Sequence, residues 1–327
     1  MSLETTTSAP APAATESSAR SATYPSMVGK TVLVTGSTDG LGFQTAQELA
    51  RLGARVLVHG RNPEKVRETV RSVREAGREQ GADYDQVVGL IADLSSLAEV
   101  RRLAEEVRMV APRLDVLINN AGVYMDRRIL SEDGYEMTFA VNHLAPFLLT
   151  NLLLDCLEAA GESRVVTIAS VAHEAALLDF DNLQGERFFD GYEAYALSKL
   201  ANVLFTYELA ERTRGTGVTA LCLHPGVIAT KLLTAGFPSA RGSRVERGSR
   251  GPIHLACSRE LTDATGSYFS GRHNVSSAPV TYDERLRRRF WEASADLVGL
   301  EDGSQVPAEV EIQVRARASR RSVLCAA

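Results

Sequence analysis

Short β-branched runs alternate with longer amphipathic runs along most of this chain, and that alternation limits its fold more than any other feature. Strand-helix repeats of this kind bury their strands on both faces and build a parallel sheet with helices on either side. Seven runs read as strands: Thr31 to Thr35, Ala54 to His59, Val87 to Ala92, Leu114 to Asn119, Ser163 to Ala169, Val218 to Leu223 and Ser267 to Ser270. Helices are expected to start near Leu41, Pro63, Ser96, Ser131, Gly191, Gly248 and Asp283. The fold class is therefore α/β, with a doubly wound, seven-stranded parallel sheet and helices on both faces.

The pattern holds between two tails. Residues 1–26 are rich in Ser, Thr, Ala and Pro and lack both a basic start and an apolar core, so they read as a disordered leader rather than a signal peptide. Residues 301–327 open acidic, end with Arg315, Arg317, Arg320 and Arg321, and read as a flexible extension. Residues 27–300 remain for one large domain, and the chain's 44% hydrophobic content suits a globular core. The runs beginning at Phe147 and Leu200 are apolar on more than one face, so these two helices should bury a second side, against another subunit or under loops of the same chain.

Several function classes drop out on composition. Lys plus Arg number 36 against 41 Asp plus Glu, which argues against a nucleic-acid partner. Cys156, Cys222, Cys257 and Cys325 are far apart with no Cys-x-x-Cys, and His143, His173 and His224 have no ligand spacing, so neither disulfides nor a metal are expected. The most apolar stretch, Leu144 to Leu157, is interrupted by Pro146, Thr150, Asn151 and Asp155, so no membrane span is expected and a cytoplasmic location fits.

Directly after the first strand comes Thr35-Gly36-Ser37-Thr38-Asp39-Gly40-Leu41-Gly42, leading into a helix. Such a turn aims backbone N–H groups and a helix N-terminus at a pyrophosphate, which makes the sheet Rossmann-type and the ligand a dinucleotide. The second strand ends in Arg61-Asn62 with no acid to hold a ribose diol, and the guanidinium suits a 2′-phosphate, so NADP(H) is the expected cofactor and NAD the alternative. Asp39 is an unhelpful negative charge in that turn. Asp93-Leu94 and Asn120-Ala121-Gly122 fall at further strand ends, where an open α/β sheet binds its ligand.

Tyr195 and Lys199 are four residues apart and share one helical face. A phenol, with a pKa of about 10, needs a nearby cation to act as an acid-base group, and Lys199 is placed to supply it. Ser170 closes the fifth strand, and Asn142 precedes Pro146, whose missing N–H should leave the Asn142 carbonyl free for a proton-conducting water.

With the Thr35–Gly42 turn, Asn119-Asn120-Ala121-Gly122 and the Asn142, Ser170, Tyr195, Lys199 tetrad, the chain resembles the short-chain dehydrogenase/reductase family over roughly residues 28–300. Ala172-His173, Phe180 to Leu183, Ala194 to Asn202 and His224 to Val227 are similar to its retinol dehydrogenase, WW-domain oxidoreductase and protochlorophyllide reductase branch. The resemblance implies NADPH-linked interconversion of a ketone or aldehyde with an alcohol on a lipophilic or polycyclic molecule. It makes Tyr195 the acid-base residue, and Ser170 the group that orients the carbonyl. Lys199 would lower the Tyr pKa and hold the nicotinamide ribose, and Asn142 would organise the relay. It also places Pro225, Gly226, Val227, Ile228 and Thr230 over the nicotinamide.

Two long connections, Val171 to Tyr192 and Ile228 to Gly251, should form the substrate mouth, with His173, Phe188, Tyr192, Leu232, Leu233 and Phe237 as candidate contacts and the second connection as a glycine-bearing mobile lid. A homodimer or homotetramer is expected. Two other readings remain open: a nicotinamide-sensing interaction protein of the same fold, and an epimerase or dehydratase with tightly held cofactor.

Overall fold

A computed structural model describes residues 24–78 and 87–300. The extension 301–327 and all but the last three residues of the leader lie outside the described residues. The domain starts earlier than expected, because the Tyr24 hydroxyl donates to the Arg250 carbonyl at 3.1 Å and its ring packs on the core.

The strands are β1 (Thr31–Val34), β2 (Arg55–Gly60), β3 (Val88–Ile91), β4 (Val116–Asn119), β5 (Ser163–Ile168), β6 (Val218–His224), β7 (Ser267–Ser270) and β8 (His273–Asn274). They form one sheet in the order β3-β2-β1-β4-β5-β6-β7-β8. Seven are parallel, as the alternation requires. The eighth is a correction: β8 pairs antiparallel with β7 through Phe269↔Asn274 and Ser270↔His273, and two residues at an exposed edge carry no periodicity.

One face is covered by α1 (Gly40–Arg51), α2 (Pro63–Arg78) and α6 (Arg250–Cys257). The other is covered by α3 (Leu97–Val110), α4 (Ala145–Leu152), α5 (Gly191–Arg212) and α7 (Glu284–Val298). Leu33, Leu57 and Leu117 point to the second layer and Val32, Val56 and Ile118 to the first, so neighbouring parallel strands present alternate residues to opposite apolar layers.

Every residue of α5 from Tyr195 to Ala210 is buried. Its second face meets α7, where Trp291 stacks on Phe205 at a ring separation of 5.8 Å and meets Phe147 of α4 edge-on at 4.8 Å. The two-sided helices are thus covered within the chain, by α7, the last helix among the described residues, and not by loops. The helix expected near Ser131 begins at Met137 instead, because residues 130–136 form a small hairpin closed by a Leu130↔Glu136 bridge. The buried Glu136 carboxylate then caps Met137–Phe139 through the Thr138 and Phe139 amides at 2.9 and 2.8 Å. No helix among the described residues is long and apolar enough to cross a membrane.

Candidate active site

β1 lies between β2 and β4, so the chain winds outward in both directions and leaves a crevice at the strand C-termini. The cleft there has a volume of about 840 Å³ and runs from Arg61, past the glycine turn and Tyr195, to Phe237. A depression of 880 Å³ at the other end of the strands, around Lys30 and Arg164, holds none of the catalytic candidates.

The cofactor half is built on close approach. A Cβ on Gly42 would lie 2.3 Å from the Asn120 amide nitrogen, and one on Gly36 would lie 2.9 Å from the Ala121 Cα. Asn120 stitches the turn by donating to the Thr35 carbonyl at 2.8 Å, and the Thr35 hydroxyl accepts from the Asn120 and Ala121 amides. Gly36, Thr38, Asp39, Gly40, Leu41, Gly42, Arg61, Asn62, Asp93, Leu94, Ala121 and Gly122 all line the cleft. Ser37 does not: it is fully buried, its hydroxyl accepting from the His59 amide at 2.9 Å, so it holds the turn from behind. Lys65, one turn into α2, joins Arg61 in the lining and completes a cationic end.

Asp39 is offset by a cation that the sequence did not pair with it. Its carboxylate caps the Gly40 amide at 2.8 Å and forms an ion pair with Lys231, which holds its pKa below the usual carboxylate value. A helix N-terminus and clash-limited glycines suit the pyrophosphate of a dinucleotide.

The catalytic half sits on α5 and β5. Tyr195 and Lys199 emerge one turn apart, with the Lys199 Nζ 5.6 Å from the Tyr195 ring centre. Burial raises the Tyr195 phenol to about 12, and a hydrogen bond from Ser170 partly opposes the shift. Burial lowers Lys199 to about 8, and its ammonium donates to the Ile168 carbonyl at 2.9 Å. The ammonium thus faces a strand-end carbonyl, and burial dominates the shift of the phenol. Ser170, besides reaching Tyr195, caps the turn Val171–Ala175 through the Ala172 amide at 3.2 Å.

Asn142 is 1% exposed and lies behind the cleft wall. Its amide accepts from the Val123 N–H at 2.8 Å and donates to the Val123 carbonyl at 3.0 Å and the Ser198 hydroxyl at 3.1 Å. Ser198 in turn donates to the Tyr195 carbonyl at 2.7 Å, so Asn142 ties the β4 loop to the catalytic helix. Its backbone forms part of a π-helical turn, Ala140–Leu144, a form that recurs at functional sites.

Tyr192, Leu232, Leu233 and Phe237 line the cleft, together with Pro225, Gly226, Val227, Ile228 and Thr230. His173 and Phe188 do not. His173 is buried, its Nδ1 bonded to the Ser170 carbonyl at 2.7 Å and its Nε2 accepting from the Ala278 amide at 3.0 Å, while Phe188 points outward at 62% exposure. Tyr124, which sequence reasoning missed, is not part of the cleft lining but packs on it, its ring 5.9 Å from Tyr195 and 5.7 Å from Phe237. Its position directly after the Asn119–Gly122 strand end was the available signal. The lid glycines serve close packing: a Cβ on Gly242 would lie 2.2 Å from the Ala229 nitrogen.

A dinucleotide cleft opening onto a Ser-Tyr-Lys-Asn cluster defines a nicotinamide-dependent oxidoreductase. Residues 30–239 match the short chain dehydrogenase family, and the chain belongs to it. The chain is similar to human retinol dehydrogenase 13, with 41% identity over 84% of this chain and 86% of that protein. It is also similar to human polyprenol dehydrogenase, with 36% identity over 85% and 88%. Among solved structures, an uncharacterised protein from Mycobacterium paratuberculosis superposes with a TM-score of 0.72 at 33% identity over 86% of this chain and 97% of that one. The Pseudomonas aeruginosa RhlG/NADP active-site complex gives a TM-score of 0.61 at 28% identity over 76% and 96%.

Proposed function

We propose that the protein is an NADPH-dependent reductase that converts a lipophilic or polycyclic aldehyde or ketone to its alcohol, and runs in reverse on the alcohol. The observation that carries this reading is the aromatic pair Tyr192 and Phe237, which lines the cleft beside Tyr195, with Tyr124 packed against Phe237, while Arg61 and Lys65 line the cofactor end of the same cleft. Relatives named for retinol and polyprenol, both long apolar alcohols, support the substrate class, and the RhlG/NADP complex supports the cofactor.

When bound, the nicotinamide supplies or accepts the hydride. The chain's own residues handle the oxygen and the proton. Ser170 and Tyr195 offer two hydroxyls to the carbonyl oxygen, and Tyr195 transfers its proton to that oxygen as negative charge develops. The phenol is protonated at neutral pH, the form that donation requires, although burial makes it a weaker acid than a free tyrosine. Lys199, brought down to about 8, is poised to replace the proton, and Asn142 ties Val123 to the same helix. The intact tetrad weighs against a pure sensor, which has no use for Tyr195.

A homodimer or homotetramer remains part of the proposal, and it needs a surface other than the α4 and α5 faces that α7 covers. The test is NADPH oxidation by the purified protein with retinaldehyde, a long-chain polyprenal and small water-soluble aldehydes, NADH being run in parallel. Turnover confined to small polar aldehydes, or to NADH, overturns the reading.

A further inference from the structure

His59 is the last residue but one of β2, two residues before Arg61 at the cationic end of the cleft, and it ties two other segments together. Its Nδ1 accepts the Gly36 amide proton at 3.1 Å, and its Nε2 lies 3.2 Å from the Ala92 carbonyl. Its backbone amide and carbonyl are both engaged by Ser37. The residue is 2% exposed, so neither ring nitrogen has water as a substitute partner.

These partners fix the ring's chemistry. An atom that accepts from an amide carries no proton, so the hydrogen sits on Nε2 and is donated to Ala92. The imidazole is neutral, in keeping with burial that brings its pKa down to about 4. Gly36 is the left-handed residue that starts the glycine turn, at φ +62, and Ala92 immediately precedes Asp93 in the cleft wall. We infer that His59 is a positioning residue for the cofactor: its neutral ring clamps the Gly36 amide and so sets the height of the pyrophosphate turn above the sheet. The Gly36 N–H is consequently committed to the protein, and phosphate contacts fall to the amides further along the turn.

The inference rests on the proposed dinucleotide site but not on NADPH in particular, because NADPH and NADH share the pyrophosphate. Two substitutions separate the ring's contacts. In His59→Asn the amide oxygen takes the place of Nδ1 and keeps the Gly36 bond, whereas in His59→Gln the longer amide reaches towards Ala92 and gives up Gly36. Affinity is read by fluorescence titration with both nucleotides, and kcat at saturating cofactor is read on any aldehyde turned over. The expected result is that His59→Gln weakens both nucleotides about tenfold while kcat changes little, and His59→Asn stays within about threefold of the parent. A residue that only supported the fold would lower the unfolding temperature of both variants and leave nucleotide affinity alone. Parent-like affinity in His59→Gln, or equal losses in the two variants, overturns the inference. A parent that prefers NADH would revise the proposed function and leave this comparison intact.

Discussion

Replacing Asn142 with alanine should cost stability before it costs chemistry. The side chain makes three hydrogen bonds, two of them to the backbone of Val123, and is 1% exposed. Truncation leaves the Val123 N–H and C=O and the Ser198 hydroxyl without that partner. An unsatisfied buried polar group costs about 1–3 kcal/mol, but Val123 borders the cleft and water can recover part of this, so a net loss of about 2–4 kcal/mol is expected. For a domain of this size each kcal/mol lowers the melting temperature by about 2–4 °C, which gives a fall of about 4–16 °C. Differential scanning calorimetry of the cofactor-free protein reads it directly. Because the same bonds hold Val123, which follows Gly122 in the cleft wall, to the catalytic helix, the KM for NADPH should rise as well. A melting temperature within about 2 °C of the parent would refute the claim that Asn142 is the tie between β4 and α5.

Other expectations follow from the same geometry. Arg61→Ala should weaken NADPH by about 1.5–3 kcal/mol, the value of a charge-assisted hydrogen bond, and leave NADH nearly unchanged; equal losses by titration would remove Arg61 from the phosphate site. Trp291→Ala, which empties the contact between α7 and both α4 and α5, should destabilise by about 3–5 kcal/mol in a denaturant titration, and a loss below about 1 kcal/mol would mean that α7 is not a core helix. Lys231→Ala should raise the KM for NADPH by leaving Asp39 unopposed beside the phosphates, and Asp39→Asn in the same chain should restore it; steady-state kinetics of the single and double variants decide this. His59 and His143 are buried and neutral, with pKa values brought from 6.5 down to about 4 and about 3. The unfolded chain therefore binds protons first as pH falls, so the melting temperature should drop progressively below about pH 6.5, and a flat profile from there to pH 4 would contradict their burial.

Much of this was legible in the sequence because it depended on local pattern. Strand-helix alternation located seven strands to within two residues, and the Tyr195/Lys199 spacing on one helix placed both groups at the cleft. What escaped depended on which segments meet. Lys231 lies 192 positions from Asp39, and nothing local announces that the second substrate loop folds back over the glycine turn. His173 is a candidate substrate contact by its place in the loop after Ser170, yet its ring is buried and bonded to the segment around Ala278. Ser37 looked like a turn residue facing phosphate, but the pairing of the turn with the end of β2 directs it inward. The second apolar faces of α4 and α5 announced a partner without naming it, and Trp291 of α7 is that partner.

The central claim is that Tyr195 delivers the proton at a carbonyl held in an apolar cleft. Tyr195→Phe keeps the ring and its packing against Tyr124 and Phe237, and removes only the hydroxyl. Single-turnover oxidation of bound NADPH with a lipophilic aldehyde, following a titration that confirms binding, should show parent-like NADPH affinity and a hydride-transfer rate reduced about 10²- to 10⁴-fold. Parent-like affinity with a near-parental rate would contradict the account.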